Sequence, residues 1–199
     1  MAIWLEDDDD KKPELEAKPS EAMEERLFKS RSVFVFGSLD MKLAQRVTAQ
    51  LIALATESES KEIRVFVNSP GGHVESGDTI HDMIRFVPCP VKIIGTGWVG
   101  SAAAHIYLSA PKDRRLCLPN TRFLLHQPSG GAGGQATDIA IQVEQILKAK
   151  RRIQKAIADA TGQTMERVLA DTERDYWMSA EEAKEYGVVS RIIKTQSEI

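Results

Sequence analysis

Cysteine is nearly missing from this chain. Its two cysteines, Cys89 and Cys117, stand far apart, and neither belongs to a Cys-x-x-Cys pair or a Cys/His cluster. That rules out a multi-bridge disulfide framework and leaves two readings, a pair of free thiols in a reducing compartment or a single disulfide, of which the first is the expectation. Long apolar runs are missing too. None approaches the roughly 18 residues that cross a bilayer, so no membrane partner is expected. At the N-terminus a short Ala2-Ile3-Trp4-Leu5 run meets acidic residues, not the basic and apolar regions of a signal peptide. A cytoplasmic location follows as the expectation. A surplus of positive charge is also lacking. The formal net charge is −3, with −5 over residues 1–30 and +2 over the remainder. That balance argues against a nucleic-acid partner. No metal or cofactor is expected.

What is present is ordinary globular material, 42% hydrophobic and 28% charged over 199 residues. This suits one α/β domain with an accessory segment. Residues 1–30 read as an acidic tail. The run Glu6-Asp7-Asp8-Asp9-Asp10, two prolines and few apolar groups cannot offset the entropy of ordering. A short helix over Glu21 to Lys29 is compatible with the pattern. Residues 31–193 form the domain, and 194–199 a C-terminal tail. Ser32–Phe36 and Ile63–Val67 read as strands, each followed by a helix, about Asp40–Thr56 and Val74–Phe86. Val91–Ile94 is a third strand, running into a glycine-crowded turn and a small-residue helix from Ser101. This β-α-β-α-β-α order predicts parallel pairing, with ligands outside the carboxyl ends of the strands. Short strands at 115–118 and 122–126 follow. Next come an extended glycine-rich stretch over 127–135 and a long helix, about Asp138 to Thr161, ended by Gly162. At 1.5 Å per residue that helix runs roughly 35 Å, long enough to project and pack on another subunit. A helix from Ser179 to Tyr186 and a strand from Val188 to Ile193 close the domain.

The chemistry centres on Ser101. A serine between a buried strand and a helix aims its hydroxyl at free backbone N–H groups. The plain alternative is a helix N-cap serine. The motif is not Gly-x-Ser-x-Gly, because residue 103 is alanine. A second glycine turn, Asn68-Ser69-Pro70-Gly71-Gly72, offers unobstructed N–H groups that can join the N–H of Ala102 as an oxyanion hole. A nucleophilic serine needs a histidine base and an orienting carboxylate. His126, at the end of a strand, competes with His105, one helical turn from Ser101. His73 can line the cleft, and His81 reads as surface. Asp171 and Asp175 both qualify as the acid, and spacing does not choose between them.

The segments Asn68-Ser69-Pro70-Gly71-Gly72, the glycine-flanked Ser101, Leu118-Pro119-Asn120, His126-Gln127-Pro128, Gly134 to Ile139 and Asp171 to Asp175 occur in one order. Together they resemble the proteolytic subunits of the Clp protease family, over about Ser32 to Ile193. The resemblance implies a crotonase-like β-β-α superhelix with a protruding strand-helix handle, here about 127–161. It implies a Ser101–His126–Asp175 triad, with Gly72 and Ala102 N–H groups as the oxyanion hole. It implies that a peptide or unfolded protein binds as an added strand near Gly71, His73, Gln127 and Pro128. It further implies a homo-oligomer of stacked heptameric rings, a ring-to-ring contact at Arg174, and an AAA+ unfoldase as partner.

Three features depart from the family pattern. The acidic tail replaces the usual axial segment. Ala102 stands where a methionine is usual, so a roomier specificity pocket is expected. Arg64 and Thr96 stand in the apolar surface that docks the ATPase, which keeps Phe66. Two other readings accompany the peptidase: a non-catalytic ring subunit, and a crotonase-type acyl-CoA enzyme, which needs no serine nucleophile.

Overall fold

The computed structural model describes residues 21–128, 131 and 133–199. The acidic run expected to be a tail, and Ser129, Gly130 and Ala132 of the glycine-rich stretch, lie outside the described residues. A first helix, α1 (Glu21–Lys29), buries none of its residues. The body then alternates β1 (Ser32–Phe36), α2 (Met41–Glu57), β2 (Ile63–Ser69), α3 (Val74–Phe86), β3 (Val91–Gly100) and α4 (Ala102–Tyr107). After these come β4 (Arg115–Cys117), β5 (Arg122–Leu125), α5 (Ala136–Thr161), α6 (Met165–Asp171), β6 (Tyr176–Met178), α7 (Ala180–Tyr186) and β7 (Arg191–Ile192).

The sheet is parallel in the order β1-β2-β3-β4-β7, as a β-α-β alternation demands. On β2 every second residue is buried: Ile63, Val65, Val67 and Ser69. Ile63, Val65 and Val67 join Val33, Val35 and Ile93 in one core with Leu43, Val47, Leu51 and Leu54 of α2 and Ile80 and Ile84 of α3. Each such side chain contributes about 1.5–3 kcal/mol when withdrawn from water. Asp40 caps α2, its carboxylate accepting from the Leu43 N–H at 2.7 Å.

Two features differ from expectation near the site. The glycines of 95–100 do not make a turn; they continue β3 to Gly100. Between the Val67–Gly95 and Ser69–Val99 pairs, β2 advances two residues while β3 advances four. The extra residues bulge around the Asn68 side chain, which accepts the Trp98 N–H at 3.0 Å. Past the bulge, β3 changes neighbours: Ile93–Gly95 pair with β4, and Trp98–Gly100 pair with β5. Strand β6 is the second difference. It runs antiparallel to β5, and its three residues are too few to show a period in sequence. Strand β7 is shorter than the Val188–Ile193 run. Helix α5 has 26 residues, and only Ile153, Gln154, Ile157 and Thr161, all in its C-terminal half, are buried.

Candidate active site

Strand β3 delivers Ser101 to the mouth of the sheet, and the chain turns there directly into α4. The Ser101 N–H donates to the Leu124 carbonyl at 2.9 Å, which holds it beside β5. Its backbone lies at φ 56°, ψ −126°, a conformation that side-chain-bearing residues rarely adopt. Such a backbone costs about 1–3 kcal/mol and persists only where its surroundings enforce it. Although Ser101 occupies the N-cap of α4, its hydroxyl makes no capping bond. Instead Ser101 Oγ lies 2.8 Å from His126 Nε2.

His126 and Asp175 are brought together by strand register. Leu125 on β5 pairs with Tyr176 on β6, so the next step along each strand places His126 opposite Asp175. His126 Nδ1 lies 2.9 Å from Asp175 Oδ1. A carboxylate at Nδ1 favours the tautomer with the proton there, leaving Nε2 free to accept from the serine hydroxyl. The imidazole is largely covered, whereas the Asp175 side chain is 62% exposed.

The competing residues lie elsewhere. His105 Nε2 faces Asp78 Oδ1 at 3.1 Å, not the serine. Asp171 accepts from the Tyr186 hydroxyl at 2.9 Å. His81 is not the surface residue expected: it is mostly covered and stacks on His105, with ring centroids 4.2 Å apart.

Around Ser101 the glycine turn comes close. A side chain at Gly71 would stand 2.6 Å from Ser101 Cβ and 3.1 Å from the Ala102 nitrogen. Gly71 and Gly72 have φ of 100° and 142°, which L side chains resist. The Leu39 strand edge fixes the turn, its N–H donating to the Gly71 carbonyl and its carbonyl accepting from the His73 N–H. Among the described residues, the N–H groups of Gly72 and Ala102 have no backbone partner.

The remaining candidates sit around this centre. Pro128 lines a pocket with Val74, Ser101, Ala102, His105, Leu125, His126, Ile153 and Ile157. The pocket holds about 20 Å³, little more than one water. Helix α3 packs closely on Ala102: a methyl at Gly77 would be 3.1 Å from Ala102 Cβ. Gln127 is tied to the segment before Asp175, its amide donating to the Glu173 carbonyl at 3.0 Å. Arg174 flanks a cleft shared with His126, Gln127, Glu173 and Asp175. His73 is engaged with its own helix, through Ser76 at 2.9 Å and Glu75 at 3.2 Å. A larger cavity, about 900 Å³, opens at the far ends of α3, α4 and α5, and no member of the Ser101 group lines it. Among the described residues, no cluster of three or more His, Cys, Asp or Glu is arranged for a metal. Nor is any helix there long and apolar enough to cross a membrane.

Comparison with known proteins adds a second line of observation. The Clp protease family profile matches residues 16–196. The ATP-dependent Clp protease proteolytic subunit 3 of Rhizobium etli is 58% identical over 195 residues, 98% of each chain. Proteolytic subunit 2 from Pseudomonas aeruginosa is 54% identical over 175 residues, 88% of this chain and 87% of that one. Among solved structures, a ClpP1 mutant from Listeria monocytogenes superposes with a TM-score of 0.82 at 45% identity. The superposition covers 88% of this chain and 98% of that one.

Proposed function

Because the chain belongs to the Clp protease family, we propose that it is a serine endopeptidase, cleaving unfolded protein or peptides through an acyl-enzyme on Ser101. The observation that carries this reading is the pair of hydrogen bonds, 2.8 Å and 2.9 Å, that joins Ser101, His126 and Asp175 from three separate elements. Ser101 Oγ attacks the scissile carbonyl carbon as His126 Nε2 takes the hydroxyl proton. The carbonyl oxygen becomes an anion between the N–H groups of Gly72 and Ala102. Collapse expels the amine, which receives the proton from His126, and leaves the acyl group on Ser101. Water, deprotonated by the same imidazole, then releases the acid and restores the serine. Asp175 holds the tautomer and stabilises the imidazolium.

The substrate lies extended beside Gly71, His73, Gln127 and Pro128, as an added strand whose backbone is read regardless of sequence. The enzyme works in the cytoplasm as stacked heptameric rings. Handles formed by residues 127–161 meet, and Arg174 lies at the ring-to-ring contact. An AAA+ unfoldase feeds the chamber. Phe66, stacked on Phe34 at 5.4 Å with Phe36 alongside, supports an apolar docking surface at the β1–β2 edge.

Hydrolysis of a fluorogenic peptide and of unfolded casein by the purified protein tests the reading. Ser101→Ala removes the activity, and Asp175→Asn lowers kcat by about 10³–10⁴-fold. Hydrolysis that survives Ser101→Ala contradicts it.

A further inference from the structure

A second polar network adjoins the serine, and its His105 lines the same small pocket as Ser101 and His126. His105 is the fourth residue after Ser101 on the six-residue helix α4, and only 6% of it is exposed. Its Nε2 lies 3.1 Å from Asp78 Oδ1 on α3. The other Asp78 oxygen accepts from Arg152 on α5. The flat face of His105 is stacked on His81, also from α3, with an interplanar angle of 4°. The ring is therefore held at one edge by a carboxylate and across one face by a second imidazole. Burial raises the Asp78 carboxyl, but the His105 hydrogen bond and the Arg152 charge outweigh it, so the carboxyl is held below its usual range. Asp78 stays an anion, and a partly covered anion holds its charged donors more strongly than a neutral acceptor would.

The same residue that is clamped by its side chain touches the nucleophile by its backbone. The His105 N–H donates to the Ser101 carbonyl at 3.2 Å, beside the Ala104 N–H at 3.0 Å. A helix of six residues is not self-supporting, and Ser101 holds an unfavourable backbone conformation at its start. Something outside α4 must keep that turn in place. On the other side the Ser101 N–H is fixed to β5 through Leu124. Resting on the reading of Ser101 as the nucleophile, we propose that Asp78 and His105 are positioning residues. They pin the first turn of α4 so that the strained Ser101 presents Oγ to His126 and the Ala102 N–H to the oxyanion. Arg152 extends this restraint to α5. The placement of the long helix thereby reaches the nucleophile through Arg152, Asp78 and His105.

Kinetics on the assembled protein test this, with peptide turnover measured beside the second-order rate of Ser101 phosphonylation by a fluorophosphonate. His105→Phe fills the space without a donor. It lowers kcat and the phosphonylation rate about tenfold while KM stays within about twofold, as expected for misplaced groups and not for lost binding. His105→Gln can place its amide nitrogen where Nε2 was, and it retains at least about half of the wild-type rate. Arg152→Ala, a change at an exposed side chain, lowers kcat about two- to threefold with KM again unchanged. The proposal is overturned if His105→Phe turns over at the wild-type rate, or if His105→Gln is as slow as His105→Phe. Should His105→Phe fail to assemble, His105→Gln and Arg152→Ala decide: an unchanged kcat for Arg152→Ala overturns the proposal. Absence of labelling in the wild type would instead overturn the assignment of Ser101 as nucleophile, which keeps the two failures distinct.

Discussion

At the residue scale, chemistry here depends on which polar atoms are left free. The Ser101 hydroxyl sits at a helix N-cap and yet forms no capping bond, so it is available to His126. In sequence the N-cap and nucleophile readings of Ser101 were equal, because both use a serine before a helix. The absence of the cap bond is a coordinate property that no spacing reveals. Asp171 and Asp175 were equally undecidable, four residues apart with the same chemistry. What separates them is the three-residue β6, which pairs with β5 and turns Asp175 toward the imidazole. The cysteines show the opposite condition. Burial pushes the Cys117 thiol up to about 12, aided by the negative charge of Glu181. A raised thiol pKa means the neutral form persists at neutral pH, and the thiol is not the nucleophile. Iodoacetamide at pH 7.5 therefore leaves native Cys117 unmodified and alkylates it fully in guanidinium chloride, as read by peptide mass spectrometry.

At the element scale, strands and helices with a clear period were legible, and elements set by tertiary contacts were not. Helix α3 runs over Val74–Phe86, the span its apolar spacing predicts. Strand β3 ran on through glycines that punctuate most sequences, because Asn68 and the neighbouring strands supply the partners for its bulge. The terminus of α2 shows another tertiary device. Arg31, buried and with φ 53°, donates to the carbonyls of Leu54, Ser58, Lys61 and Glu62 and pairs with Glu57. A cation at a helix C-terminus satisfies carbonyls that have no partner within the helix. Arg31→Ala removes several charge-assisted hydrogen bonds at buried and part-buried carbonyls and costs about 1–3 kcal/mol. Urea unfolding detects it as a lower midpoint with an unchanged slope. Nothing in the spacing around Arg31 announces this role, since its partners lie more than 20 residues away.

At the scale of the whole molecule, α5 is packed on the body along only its C-terminal half. Its C-terminal half is anchored by Ile153 and Ile157, which also line the pocket beside Ser101. Its N-terminal half leaves Ile141, Val143 and Leu147 exposed. Val143 and Leu147, four residues apart, share one helix face, and exposed apolar neighbours of that kind suit contact with another protein surface. In the proposed assembly that surface meets its counterpart on the opposite ring. Leu147→Glu then places a charge inside the contact, and the particle mass measured by light scattering falls to about half, with each chain still folded by circular dichroism. Paired rings surviving in this variant would show that α5 makes no such contact. The projecting helix was legible from its length and from Gly162, whose left-handed backbone ends it.

The account turns on one claim, that Ser101 is the nucleophile activated by His126. Intact-mass spectrometry after treatment with a fluorophosphonate tests it most directly, followed by localisation of the adduct to a peptide. One adduct per chain, on Ser101, is predicted, together with its loss in Ser101→Ala and marked slowing in His126→Ala. A wild-type protein that hydrolyses peptides yet carries no adduct on Ser101, or carries it elsewhere, would contradict the account.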